Sequence, residues 1–168
     1  PIIQIEMADF FTAMISFAHP LTEDWVGAFL HDSFLTWAAR NSTKPSRNHQ
    51  LENLVLHADA QWTMKHWEED PEKVALLMLN EFWRVSGIES QPTLHLNGHR
   101  WKFAIANAED TQGCYFDNDT GIVACGDWAH GSRVEGAFLS GMSAAGRVLG
   151  MNVSASEDKL YQRDLFGN

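Results

Sequence analysis

The stretch Gly121–Gly150, GIVACGDWAHGSRVEGAFLSGMSAAGRVLG, constrains the fold more than any other part of the chain. It opens on an apolar run, Ile122–Cys125, which reads as a strand. A short glycine-bearing loop, Gly126–Gly131, follows, and then a small-residue helix from Arg133 to about Leu149. Strand, loop, helix is a unit that can aim a helix N-terminus at an anionic or electron-rich ligand. Ser132 and Glu135 have the spacing of a capping box. Gly136 is expected to leave the first turn bare, so that a ligand can approach its N–H groups. Ala137, Gly141 and Ala145 form a stripe with nothing bulkier than a methyl, which lets the helix lie close to a sheet or another backbone. Gly150 ends the helix. The same features also describe a well-capped, closely packed helix with no ligand. Asp127 stands at the C-terminal end of the strand, the edge where ligands of open α/β sheets gather. It reads as an acceptor for sugar-like hydroxyls or as a turn-capping aspartate.

The rest of the chain reads as strands, then helices, then a strand. Phe10–His19 is a mostly buried strand that ends at Pro20. Trp25–His31 is a second, and Leu35–Ala39 is a third strand or a short helix. Arg40–His49 is a polar surface loop, and Glu52–Ala58 a central strand. Asp59–Glu69 has helical character. Asp70-Pro71 starts a helix, with Asp as N-cap and Pro in the first position. Val74, Leu77, Met78, Phe82 and Val85 give it one buried face, and Gly87 stops it. Thr93–Ala106 is a strand with His99, Trp101 and Phe103 on one face, and Asn97-Gly98 is either a hairpin turn or a bulge within it. Glu109–Gly121 reads as polar turns, and Asn152–Asn168 as a loosely docked tail. Segregated strands and helices point to an α+β fold.

Charge and composition exclude several function classes. The chain of 168 residues carries a net charge of -10, and no basic run is present. That argues against a nucleic-acid partner and gives no attraction to anionic membranes. With no long apolar span and no secretory signal, a cytoplasmic location is expected. Cys114 and Cys125 read as free thiols, with one bridge as the alternative. The chain opens on Pro1, so either a Met is removed or the chain belongs to a longer one. His95 and His99 lack the helical HExxH context of a zinc site, so no metal is expected. No nucleophile elbow, P-loop or GxGxxG occurs. Among the seven tryptophans, Trp62, Trp101 and Trp128 stand beside polar neighbours and are candidates to line a flat aromatic ligand, with ordinary packing as the alternative.

Several ordered motifs carry a family resemblance. GDW, RVEGA and SG-x-x-AA within the opening stretch, with LTWAARNSTKPSR, LVLHADAQWT and HRWKFA upstream, make the chain resemble the C-terminal half of renalase-type FAD-dependent oxidoreductases, relatives of the flavin-containing amine oxidases. The resemblance covers about Phe11 to Leu149. It implies an α+β organisation: a mixed-sheet substrate (roof) domain with helices over residues 1–110, the C-terminal strand-loop-helix of a p-hydroxybenzoate-hydroxylase-like FAD domain over 111–150, and a tail over 151–168. It further implies FAD as cofactor and a missing N-terminal dinucleotide-binding half with GxGxxG as partner. Asp127 would accept from a ribityl hydroxyl and Gly126 would permit close approach. The helix start, Arg133, Val134, Glu135, Gly136 and Ala137, would offer N–H groups to the pyrimidine edge of the flavin, with Trp128 and Trp101 also near the cofactor. His57 and Trp62 are the substrate-side candidates, and no catalytic residue is assigned to the protein. The implied substrate is a small molecule, a reduced nicotinamide isomer or an amine, with electrons passed to oxygen. The alternative is a non-catalytic fragment or interaction module, unable to bind FAD alone and prone to self-association through an uncovered apolar surface.

Overall fold

The computed structural model describes residues 5–47, 50–107 and 112–150. In chain order it contains strands β1 (Met7–Phe17), β2 (Gly27–Phe29), β3 (Leu35–Arg40) and β4 (Glu52–Ala58), then helices α1 (Ala60–Lys65) and α2 (Pro71–Ser86). There follow strands β5 (Thr93–Ala106), β6 (Tyr115–Asp117) and β7 (Ile122–Ala124), and helix α3 (Val134–Val148). The fold is α+β, as the segregated pattern implies. The chain divides into two compact units: Asp9–Ala104 forms one, and the described residues outside it form the other.

The unit Asp9–Ala104 is built on a five-stranded sheet of order β2-β3-β4-β1-β5. β1 pairs antiparallel with β4, β4 with β3, and β3 with β2. β4 takes the middle place expected of Glu52–Ala58. Its residues alternate strictly, with Glu52, Leu54, Leu56 and Ala58 buried and Asn53, Val55 and His57 on the other face. Phe11, Ala13, Ile15 and Phe17 of β1 join the buried set, as do Leu35 and Ala38 of β3.

Helix α2 closes this core. Asp70 caps it by accepting from the N–H groups of Glu72 (2.9 Å) and Lys73 (3.2 Å), and Gly87 ends it in a left-handed conformation at φ 67°. Its buried face is Val74, Ala75, Met78, Leu79 and Phe82. Leu77, expected on that face, is instead 37% exposed, because the core seam passes through Ala75 and Leu79 on its other flank. Fully burying a side chain of the size of Phe or Leu contributes about 1.5–3 kcal/mol. Helix α1 is capped by Asp59, and its buried Thr63 hydroxyl accepts from the Phe11 N–H at 3.0 Å, tying α1 to β1.

Other expectations need adjustment. The strand expected over Trp25–His31 shrinks to Gly27–Phe29, since Trp25 turns in against the core and meets Phe82 at 6.3 Å. Arg40, assigned to a surface loop, ends β3 and forms a buried pair with Glu52 at 2.5 Å, and Ser42 is buried beside it. Leu35–Arg40 is a strand, not a helix. Asn97-Gly98 makes no hairpin: β5 runs on as one strand, and Gly98 sits where a Cβ would meet the Pro71 carbonyl at 2.1 Å. Residues 151–168, expected to form a tail, lie outside the described residues.

Candidate functional site

The second unit contains the stretch that matters most. β6 and β7 pair antiparallel as a ribbon, with Tyr115 opposite Ala124 and Asp117 opposite Ile122. β6 falls in a segment expected to be only turns. Its turn, however, is legible: the Asp117 carboxylate accepts from the Thr120 hydroxyl at 2.7 Å and the Asp119 N–H at 3.0 Å. Those two hydrogen bonds hold its carboxyl below the usual range. Gly121 leaves the turn at φ 70°.

After β7 the chain enters a loop fixed by one hydroxyl. Ser140 of α3 is fully buried, accepts from the Gly126 N–H at 2.9 Å and donates to the Gly113 carbonyl. In the sequence Ser140 stands out only as part of the SG-x-x-AA motif. Its partner at Gly113 lies far away in sequence, so no local signal marked it. Cys114 is buried and Cys125 exposed, and both are free.

Gly126 is extended, with φ 162° and ψ 173°, so its backbone does not require glycine. The requirement is steric. The Trp128 indole folds back over it, and a Cβ would meet Nε1 at 2.3 Å. The same indole stacks on Tyr115 with centroids 5.5 Å apart and planes at 13°. Thus the close approach expected at Gly126 is made here by Trp128. Asp127 begins a single 3-10 turn, and its carbonyl accepts from the N–H groups of His130 (3.1 Å) and Gly131 (2.8 Å). Its carboxylate is half-buried and, among the described residues, has no hydrogen-bond or ion-pair partner.

Helix α3 starts differently from the expected capping box. The N-cap is Arg133, extended and without a side-chain cap, and the Ser132 hydroxyl donates instead to the Ala106 carbonyl. Nor is the first turn bare at Gly136. That residue is buried, and an added Cβ would lie 1.9 Å from the Gly131 carbonyl oxygen, so its missing side chain makes room for the loop's own backbone. Ala137 also drops out as a free donor, because its N–H already donates to Arg133 at 3.0 Å. The amides of Val134, Glu135 and Gly136 precede that first intrahelical bond. The small-residue seam is displaced by one position. Gly136, Ser140 and Ala144 face inward, whereas Ala137 and Ala145 are exposed and a Cβ on Gly141 would touch nothing within 4 Å.

The remaining candidates, His57, Trp62 and Trp101, belong to the unit Asp9–Ala104. His57 lies on the sheet face away from the core, with its ring 4.8 Å from that of Phe10. Burial, with a smaller contribution from Lys44, lowers its pKa and favours the neutral imidazole. Trp62 is elsewhere. It packs against the core cluster, stacked on Phe34 with centroids 4.1 Å apart and planes at 2°, and also meets His66 at 4.1 Å. Trp101 is half exposed on β5 and edge-on to His99 at 4.6 Å.

Among the described residues, no group of three or more His, Cys, Asp or Glu side chains is placed to hold a metal ion. No helix among them is long and apolar enough to cross a membrane. No family model matches the chain.

Proposed function

We propose that this chain is the substrate-domain and cofactor-return portion of an FAD-dependent oxidoreductase of the renalase type. The reading rests on the motif resemblance and on one structural observation: the half-buried Asp127 carboxylate, unpartnered among the described residues, between β7 and α3. Such a carboxylate suits the ribityl hydroxyls of a flavin. The helix start at Val134–Gly136 would present its positive end to the electron-rich pyrimidine edge. FAD, when bound, would supply the hydride-accepting chemistry, with oxygen as the final acceptor. The chain's own residues would bind and orient: Asp127 holds hydroxyls, Ser140 fixes the loop that carries Asp127, and the sheet face that carries His57 meets a small neutral substrate. The reduced nicotinamide isomers and amines implied by the resemblance are the substrate classes to try first. Because the sequence contains no GxGxxG, the ADP part of FAD would be held by a dinucleotide-binding unit outside these residues.

The test is spectroscopic. The protein carrying its dinucleotide-binding unit should purify with flavin absorbance, and Asp127→Ala should reduce FAD retention at least about tenfold, as loss of a charge-assisted hydrogen bond implies. A protein that stays colourless with added FAD would refute the reading.

A second reading has its own observation. Val134, Phe138, Met142, Val148 and Leu149 leave α3 with an exposed apolar face. That face fits an interaction module that self-associates without cofactor. Light scattering of the chain at rising concentration tests it, and a monomer throughout would remove it.

A further inference from the structure

The β6–β7 ribbon brings the two cysteines to one rung. Its register pairs Asp117 with Ile122, Phe116 with Val123 and Tyr115 with Ala124. The next residues on the two strands are Cys114 and Cys125, and after them come Gly113 and Gly126. That last pair is also tied together, through a side chain. The Gly126 N–H donates to the Ser140 hydroxyl at 2.9 Å, and the same hydroxyl donates to the Gly113 carbonyl. The cysteines therefore stand between a directly paired rung and a rung bridged by one hydroxyl.

Antiparallel rungs alternate between hydrogen-bonded and non-hydrogen-bonded pairs. An N–H of Gly126 and a carbonyl of Gly113 that share one hydroxyl have the arrangement of a hydrogen-bonded rung, with the hydroxyl inserted. The adjacent Cys114–Cys125 rung then takes the other kind. Opposed Cα atoms lie about 4.5 Å apart in such a rung, within the roughly 4.4–6.8 Å that a disulfide spans. Both thiols are free in this structure, with Cys114 buried and Cys125 exposed. The unequal burial separates their roles: Cys125 meets reagents from solution, and Cys114 waits behind it.

We propose that Cys114 and Cys125 are a reversible redox pair whose bridge fastens the two stems of the loop that carries Asp127. The oxidant is a low-molecular-weight disulfide. The Cys125 thiolate attacks one of its sulfurs, the small S–S bond breaks, and one small thiolate leaves and takes a proton from solvent. Cys114, giving up its proton, then attacks the Cys125 sulfur and expels the second small thiol. Two protein thiols are oxidised to one bridge, and one small disulfide is reduced to two thiols. Because Cys125 is exposed, excess thiol can reverse the exchange. The bridge would do covalently, one rung away, what the Ser140 hydroxyl does by hydrogen bonds. This inference goes beyond the flavoenzyme reading and does not need it.

The full chain is treated with oxidised glutathione in native buffer and followed by intact mass and peptide mapping. The expected product is a monomer that has lost two hydrogens, retains no glutathione, and yields a peptide joining Cys114 to Cys125; dithiothreitol should restore both thiols. Cys114→Ser should instead keep glutathione on Cys125. In the parent, the bridge should form at least about tenfold faster than an alkylating reagent modifies Cys114 in Cys125→Ser, since internal attack does not wait for the unit to open. Oxidation should raise the melting temperature and at least halve its loss on Ser140→Ala. Glutathione retained on the native parent, a covalent dimer, or a bridge that forms only in urea would each overturn the pairing, and these three readouts need no variant to fold. A melting temperature unchanged by oxidation would overturn the fastening of the loop. A colourless protein carrying its dinucleotide-binding unit would refute the flavoenzyme and leave this exchange standing.

Discussion

The Arg40–Glu52 pair is the most consequential polar contact in the unit Asp9–Ala104. The Glu52 carboxylate accepts from Arg40 Nε at 3.1 Å and Nη2 at 2.5 Å, from the Ser42 hydroxyl at 2.5 Å and from the Leu21 N–H at 3.3 Å. Burial alone would raise its pKa, but the bonds from Arg40, Ser42 and Leu21 outweigh it and hold the carboxyl below its ordinary value. Removing Arg40 leaves a buried, uncompensated charge. Arg40→Ala should therefore lower the unfolding free energy by about 3–5 kcal/mol, measured by urea denaturation. The pH dependence follows from the signs. Glu52 has a depressed folded pKa, so its contribution is fully present above its unfolded value of 4.5 and is lost as pH falls through the folded value. His57 also has a depressed folded pKa. Protonation in the unfolded state draws stability away as pH falls below 6.5, until the folded imidazole also protonates. Acid unfolding followed by tryptophan fluorescence should show stability declining over both windows, and His57→Phe should remove the upper one.

At the scale of the element, α3 and its loop are held by two contacts that tolerate no substitute. A methyl at Gly136 meets the Gly131 carbonyl at 1.9 Å. Gly136→Ala should push the loop from the helix start and destabilise the unit by about 1–3 kcal/mol, the range for overpacking. Ser140→Ala removes the hydroxyl shared by Gly126 and Gly113 and strands the buried carbonyl, costing about 1–3 kcal/mol. Thermal denaturation of both variants checks these values. α2 was readable because its signals are adjacent letters, Asp70-Pro71 at one end and Gly87 at the other. β6 was not, because its three residues are set among Asn, Asp and Gly, and pairing with β7 rather than propensity makes the strand. The capping box misled for a related reason. Ser132 and Glu135 have the right spacing, but the serine hydroxyl finds Ala106, which no local pattern reveals. Asp127 and Gly126 were visible as candidates, whereas Ser140 acquires meaning only from its partners across the fold.

For the whole molecule, the division into two units makes its two thiols separate reporters. Cys125 is exposed and Cys114 is buried, and both lie outside Asp9–Ala104. An alkylating thiol reagent should label the exposed Cys125 without any opening of its unit. Cys114 should react only as fast as its unit opens, which makes its labelling a measure of local unfolding. The unit Asp9–Ala104 has its own core of Phe11, Phe17, Leu54, Leu56 and Phe82. Its amides in β1, β4 and α2 should therefore remain protected in hydrogen exchange under conditions where Cys114 is labelled. Equal rates at both thiols would show that the burial of Cys114 gives no protection.

The bond from Ser140 also carries a consequence in time. A ribosome releases Gly113 and Gly126 well before Ser140 appears, and α3 must wind far enough to turn that hydroxyl inward. Until then the Gly113 carbonyl and the Gly126 amide stay with water, and the loop bearing Asp127 has no fixed form. All of Asp9–Ala104 is already synthesised by that stage, so its sheet and α2 can be complete while the candidate cofactor loop is still waiting for its clasp.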